Sequence, residues 1–198
     1  DAEGGGWCVQ SRRGETRARV VVGNVLPQAL PKLLSPEALA PLSAWCERAQ
    51  EGVKEGWGAA MLYMVAEEPQ GKQGGGAEHW QLIDDDEAPL REGNHVFCSI
   101  SSSQELGRAP HGSRVITLST HVKMSELLSL SPQARGERIH EIQLKMRRTF
   151  EARCPQWSEG VYLAMSASPR TFERFTGRPE GFVGGAPRLA GLRQYLEL

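Results

Sequence analysis

GAAMLYMVAE, residues Gly58 to Glu67, is a strand candidate that holds the longest apolar run in this chain of 198 residues, Gly58 to Ala66, of strand length rather than that of a bilayer span. Three further strand candidates follow it, Glu78 to Ile83, Asn94 to Ser101 and Arg114 to His121. Turn-rich segments such as GKQGGG and RAPHGS separate them. That spacing favours an antiparallel meander over βαβ units, which need a helix in each connection. From Ser131 to Arg153 the pattern becomes helical. Ile139, Ile142, Met146 and Phe150 share one side, while Arg147, Arg148, Glu141 and Lys145 lie largely elsewhere. Ser131 suits the N-cap and Pro132 the first helical position, where a missing donor costs nothing. Pro155 closes the helix, and a last strand runs from Gly160 to Ser166. The expected fold is α+β: a mixed, mostly antiparallel sheet with helices packed on it.

Upstream, Gly6 to Gln10 and Arg17 to Val22 flank the polar turn SRRGET and read as a hairpin. The second strand, ARVVVGN, is nearly all apolar, as suits a strand covered on both faces. Beyond Asn24, LPQALPKLLSPEALAPLSAWCERA reads as short helices broken at Pro31, Pro36 and Pro41, because an interior proline removes a donor and clashes with the preceding turn.

Charged residues make up 24% of the chain and the net charge is −1, so there is no basic excess to attract nucleic acid or an anionic membrane. Cys8, Cys46, Cys98 and Cys154 lie far apart, without C-x-x-C spacing or a nearby histidine to complete a zinc site, and read as reduced thiols of a cytoplasmic protein. The first residue is Asp1 and no signal peptide is visible, which fits a chain that begins within a longer gene product.

No histidine among His79, His95, His111, His121 and His140 has metal-ligand spacing, and no G-x-S-x-G elbow presents a serine. His121 stands at a strand end beside Ser119 and Thr120, where it either faces a ligand cavity or is simply solvated. The run DDDE, Asp84 to Glu87, lacks the spacing of a calcium loop and reads as a solvated turn. Gly74 to Gly76 has no following lysine or serine in P-loop position, so it too reads as a turn. The segment Pro169 to Pro187 differs. It gathers Arg170, Arg174 and Arg178 with Gly177, Gly181, Gly184 and Gly185. Arginine donates planar, bidentate hydrogen bonds and glycine lets backbone approach a flat ligand. Together they suit a loop laid against a cofactor or substrate; a structural turn braced by arginine is the other reading.

At these residues, SPRTFERFTGRPEGFVGGAPR (168–188) resembles the late segment of the FAD-dependent carotenoid desaturase and isomerase family, the phytoene dehydrogenase-related oxidoreductases. WGAAMLYM (57–64), HVFCSISSSQELGRAPHG (95–112) and ITLSTHV (116–122) resemble that family's middle region in the same order, and ARVVVGNVLP resembles its strand returning to the dinucleotide-binding domain. The resemblance implies the substrate domain of a two-domain flavoprotein. Residues 1–27 would then be a remnant of the dinucleotide-binding domain, 28–56 connecting helices, 57–167 the substrate domain and 168–198 the return segment towards the flavin.

It further implies hydride transfer between a C–C unit of a long isoprenoid and the flavin, giving desaturation, saturation or cis–trans isomerisation, with the cofactor carrying the chemistry. Arg174, Gly177, Arg178, Gly184 and Gly185 match the family pattern and would lie near the flavin in positioning roles. No catalytic acid, base or metal ligand is expected. A polyene offers no charge to grip, so Leu62, Met64, Phe97, Ile100, Leu118 and His121 are the candidate substrate-binding residues. Neither the G-x-G-x-x-G fingerprint nor the C-terminal flavin segment of the family occurs in these 198 residues, which alone are expected to be inactive and not to hold FAD tightly. The implied partners are a long apolar isoprenoid and the dinucleotide-binding domain; nucleic acid is not among them, and the location is cytoplasmic with peripheral membrane contact left open. The rival reading is a non-catalytic module that binds an apolar ligand or a protein and lacks a cofactor.

Overall fold

The structure, a computed structural model, describes residues 6–184. Its strands are β1 (Trp7–Ser11), β2 (Gly14–Ala18), β3 (Trp57–Glu67), β4 (Glu78–Ile83), β5 (His95–Ile100), β6 (Ser113–Lys123) and β7 (Val161–Ala167). The α-helices are α1 (Pro36–Leu39), α2 (Ser43–Lys54), α3 (Met124–Leu128), α4 (Pro132–Arg153), α5 (Pro155–Ser158) and α6 (Pro169–Thr176). The α+β expectation holds. The five-stranded sheet has the order β4-β5-β6-β3-β7, and every pairing in it is antiparallel rather than mixed. Strands β4, β5 and β6 form the expected meander. Strand β3 breaks it by lying between β6 and β7, so the most apolar strand is paired on both edges.

Helix α4 covers one face of this sheet. Its N-terminus is capped by the Ser131 hydroxyl, which accepts from Ala134 N at 3.3 Å, with Pro132 at the first position. Ile139, Ile142, Met146 and Phe150 pack on Met64, Val96, Cys98, Ile100, Ile116 and Leu118, all buried. Side-chain hydrogen bonds also tie the helix to the sheet layer: Gln143 Nε2 donates to Ala167 O (2.9 Å) and Thr149 Oγ1 to Gly93 O, just before β5 (3.2 Å).

A wholly buried arginine closes one end of the layer. Arg114 Nε donates to Glu68 Oε1 at 2.8 Å, and its terminal nitrogens donate to the carbonyls of Gly76, Ser101 and Lys72 at 2.9 to 3.0 Å. Its guanidinium also lies 5.5 Å from the Trp157 ring centroid. A buried charge persists only when so fully paired.

Three local expectations change. The N-terminal hairpin pairs Trp7–Ser11 with Gly14–Ala18, so Val20, Val21 and Val22 lie beyond it in no strand, 74%, 45% and 90% exposed. A valine run needs a neighbouring strand to become one, and none pairs with it among the described residues. The proline-rich stretch forms short helices as expected, α1 from Pro36, a 3-10 turn holding Pro41 and α2, but Pro31 lies inside the 3-10 helix over Pro27–Lys32 instead of at a break. Lastly, Pro169–Thr176, expected as a loop, is helical, because Ser168 and Thr171 form a capping box and Pro169 takes the first position.

Candidate functional site on the open face of the sheet

In an antiparallel sheet, residues in register share a face, and neighbours along a strand do not. Even-numbered residues of β5 and β6 point at α4 and are buried: Val96, Cys98 and Ile100, then Arg114, Ile116, Leu118, Thr120 and Val122. The odd-numbered ones therefore form the opposite face. One row there runs His79, Ser99, Thr117, Tyr63 and Met165; the next runs Gln81, Phe97, Ser119, Met61 and Ala167.

The rows are not uniform. Ser99, Thr117 and Ser119 make a low strip along β5 and β6. On one side of it stand His79 and Phe97, stacked with ring centroids 5.9 Å apart and planes within 4°. On the other stand Met61, Tyr63 and Met165, with the Tyr63 hydroxyl donating to Met61 Sδ at 3.2 Å. Towards the β7 edge, Tyr162, Leu163 and Met165 are 55%, 48% and 60% exposed. The result is a shallow trough with apolar walls and a small, hydroxyl-bearing floor. Such a surface can hold a long flat apolar molecule once something closes over it.

The six residues expected to touch substrate divide between the two faces. Met64, Ile100 and Leu118 are buried to 1%, 0% and 0% exposure beneath α4, and Leu62 packs against the same core. Their apolar character is accounted for by core packing. Phe97 lies on the open face. His121 does too, exposed and edge-to-face with Trp57 at 6.0 Å and 76°. Sequence reasoning missed Met61, Tyr63, Ser99, Thr117, Ser119 and Met165. The period-2 alternation in β3 and β6 marks two faces but not which one a helix will cover.

The arginine and glycine cluster folds as a compact unit against the start of β3. Gly177, with φ +69°, ends α6 in the left-handed conformation. At Gly181, φ is +66° and a Cβ would come within 1.8 Å of Pro169 O, so no other residue fits there unchanged. Phe182 lays its ring over Gly56, and Val183 bridges to Trp57, its N–H donating to Trp57 O at 2.9 Å. Arg178 donates through Nε to Phe182 O at 2.7 Å and through Nη2 to Gly184 O. The arginine-braced turn is thus the role visible for Arg178. Arg174, its guanidinium 5.5 Å from the Phe175 ring centroid, is exposed, as are Gly177 and Gly184; Gly185 lies outside the described residues.

These residues do not by themselves fit a flavin. The one helix N-terminus in the cluster, that of α6, is closed by its own capping box, and Arg178 gives two of its nitrogens to backbone carbonyls. What the cluster offers is an exposed rim carrying Arg170 and Arg174, neither of which donates to a carbonyl or carboxylate of the described residues.

The sheet's thiols lie away from the trough. Burial, followed by the proximity of Cys154 and Glu78, pushes the Cys98 thiol up to about 12, and burial raises Cys154 as well. No helix among the described residues is long and apolar enough to cross a membrane. No protein-family model, curated protein or solved structure matches this chain.

Proposed function

We propose that this chain is the substrate-side layer of an FAD-dependent oxidoreductase that acts on a carotenoid or related long isoprenoid by desaturation, saturation or cis–trans isomerisation. The flavin is held by a dinucleotide-binding domain outside the described residues and supplies the redox chemistry. The observation that carries the reading is the open sheet face. Large apolar side chains on a sheet face that no described layer covers mark a ligand or interaction surface. Here it is the face on which Phe97, Met61, Tyr63 and Met165 gather. The motif SPRTFERFTGRPEGFVGGAPR supports the same reading, and its exposed Arg174 and Gly184 are free to meet a neighbouring domain.

In this reading the chain's own residues bind and orient. Phe97 and Met165 grip the flat faces of the polyene, the strip of Ser99, Thr117 and Ser119 leaves room for its width, and closure of the second domain excludes water. The test has two arms. The 198-residue chain is titrated with a linear polyene in mild detergent, and induced circular dichroism is read for the chain and for Phe97→Lys and Met165→Lys. Binding that both substitutions leave untouched removes the trough from the proposal. The gene product that includes the flanking sequence is then supplied with FAD; a colourless product after purification ends the flavoenzyme reading.

The closed α6 N-terminus and the committed Arg178 favour a second reading, an apolar-ligand module without a cofactor. Polyene binding by a flanked product that stays colourless is its signature.

A further inference from the structure

We infer that the cleft between α3, α4 and α6, on the helical side of the sheet, is a second binding site, for an apolar chain ending in an uncharged hydrogen-bond donor. The inference does not depend on the open face. The cleft measures about 580 Å³, within the usual range of small-molecule pockets, and Met124, Leu127 and Ile139 form an apolar floor with exposures of 0%, 5% and 6%.

Gln143 supplies the polar point. It is 9% exposed and lines the cleft. Its Nε2 donates to Ala167 O at 2.9 Å and to Met61 O at 3.4 Å. Two carbonyl acceptors fix which way the amide is turned, so the atom left for the cleft is the acceptor Oε1, to which no described residue donates a hydrogen bond. An acceptor on a side chain only 9% exposed, and without a described donor, is open to a ligand O–H or N–H.

Gly136 keeps the space open. Glycine inside a helix is disfavoured relative to alanine, yet a Cβ at 136 would meet no atom within 4 Å, so the packing of α4 does not require it. Its consequence is an unfilled cleft wall.

The charges around the cleft argue against an ion as ligand. Arg135 is committed through Nε and Nη2 to the carbonyls of Leu130 and Leu128, and its Nη1 lies 3.8 Å from Glu180. Arg170 and Glu173 on the rim are of opposite sign. A charged head placed on the apolar floor would lose its hydration without a dedicated partner. A neutral hydroxyl would not.

The experiment uses the 198-residue chain labelled with ¹³C at its methionine methyls, titrated with 1-hexanol and with its isomer methyl pentyl ether, which lacks the hydroxyl proton. The expected result is a saturable shift of the Met124 signal with 1-hexanol and about tenfold weaker binding of the ether, the worth of one hydrogen bond. Gly136→Leu, which fills the cleft and raises helix propensity, abolishes the shift without lowering the melting temperature. Gln143→Leu brings the alcohol and the ether to equal affinity. The inference is overturned if Met124 does not respond, if the unsubstituted chain treats both probes alike, if Gly136→Leu still binds, or if the only shifts are at Met61 and Met165 on the opposite face.

Discussion

At position 181 a methyl group is enough to disturb the fold. A Cβ there would come within 1.8 Å of Pro169 O while the backbone sits at φ +66°, so Gly181→Ala has to move the turn that docks Phe182 on Gly56. Clash and left-handed strain act together, and the loss of stability in urea denaturation should exceed about 2 kcal/mol. Arg178→Ala removes two hydrogen bonds to carbonyls in a half-exposed turn and should cost about 1 to 2 kcal/mol. Arg174→Ala should change stability by no more than about 0.5 kcal/mol, because the side chain is exposed, with its guanidinium 5.5 Å from the Phe175 ring centroid. If Arg174 loses more stability than Arg178, the division between a bracing and a free arginine is wrong. Before the fold is known these two residues look alike, since both are arginines in one glycine-rich stretch. Only the carbonyls of Phe182 and Gly184 tell them apart.

Among the elements, β7 and α4 give opposite predictions from similar side chains. Phe150 is completely buried where α4 meets the sheet, and Phe150→Ala should cost about 3 to 5 kcal/mol by urea denaturation. Met165 stands 60% exposed on the open face of β7, so Met165→Lys should leave the urea midpoint nearly unchanged while lowering fluorescence from a bound apolar dye. Equal destabilisation by the two would mean that the open face is covered in solution. The heptad-like stripe and caps of α4 were legible in sequence because Ser131, Pro132 and the spacing from Ile139 to Phe150 all act locally. Helix α6 was less legible: the arginines and the glycines from Gly177 onward suggest a loop, whereas the Ser168 and Thr171 capping box at its start makes Pro169–Thr176 helical.

For the whole molecule, the thiols report on how tightly the two layers are held. Cys8 is exposed while Cys46, Cys98 and Cys154 are buried, so a thiol reagent at pH 8 should modify one cysteine rapidly in the folded protein and all four after denaturation. Fast modification of two or more would show that the layers open readily. Cys98 also sets an alkaline limit. Its folded value of about 12 lies above the ordinary 9.0, so its contribution to stability is complete below pH 9 and is lost as pH rises towards 12, where the unfolded chain ionises and the folded one resists. Cys98→Ala should flatten the decline in stability above pH 9. Strands β3 to β7, the long helix and a mostly antiparallel sheet were legible in the sequence, since strand length, alternation and caps are properties of short segments. Tertiary structure decided the order β4-β5-β6-β3-β7, which parity of β3 and β6 faces α4, and that the valine run at 20–22 pairs with no described strand. Those depend on what lies across the chain from each residue, and alternation carries the same pattern whichever face a helix covers. For the same reason the open trough, with Tyr63 and Met165 in register across β3 and β7, could be located only once the strands were paired.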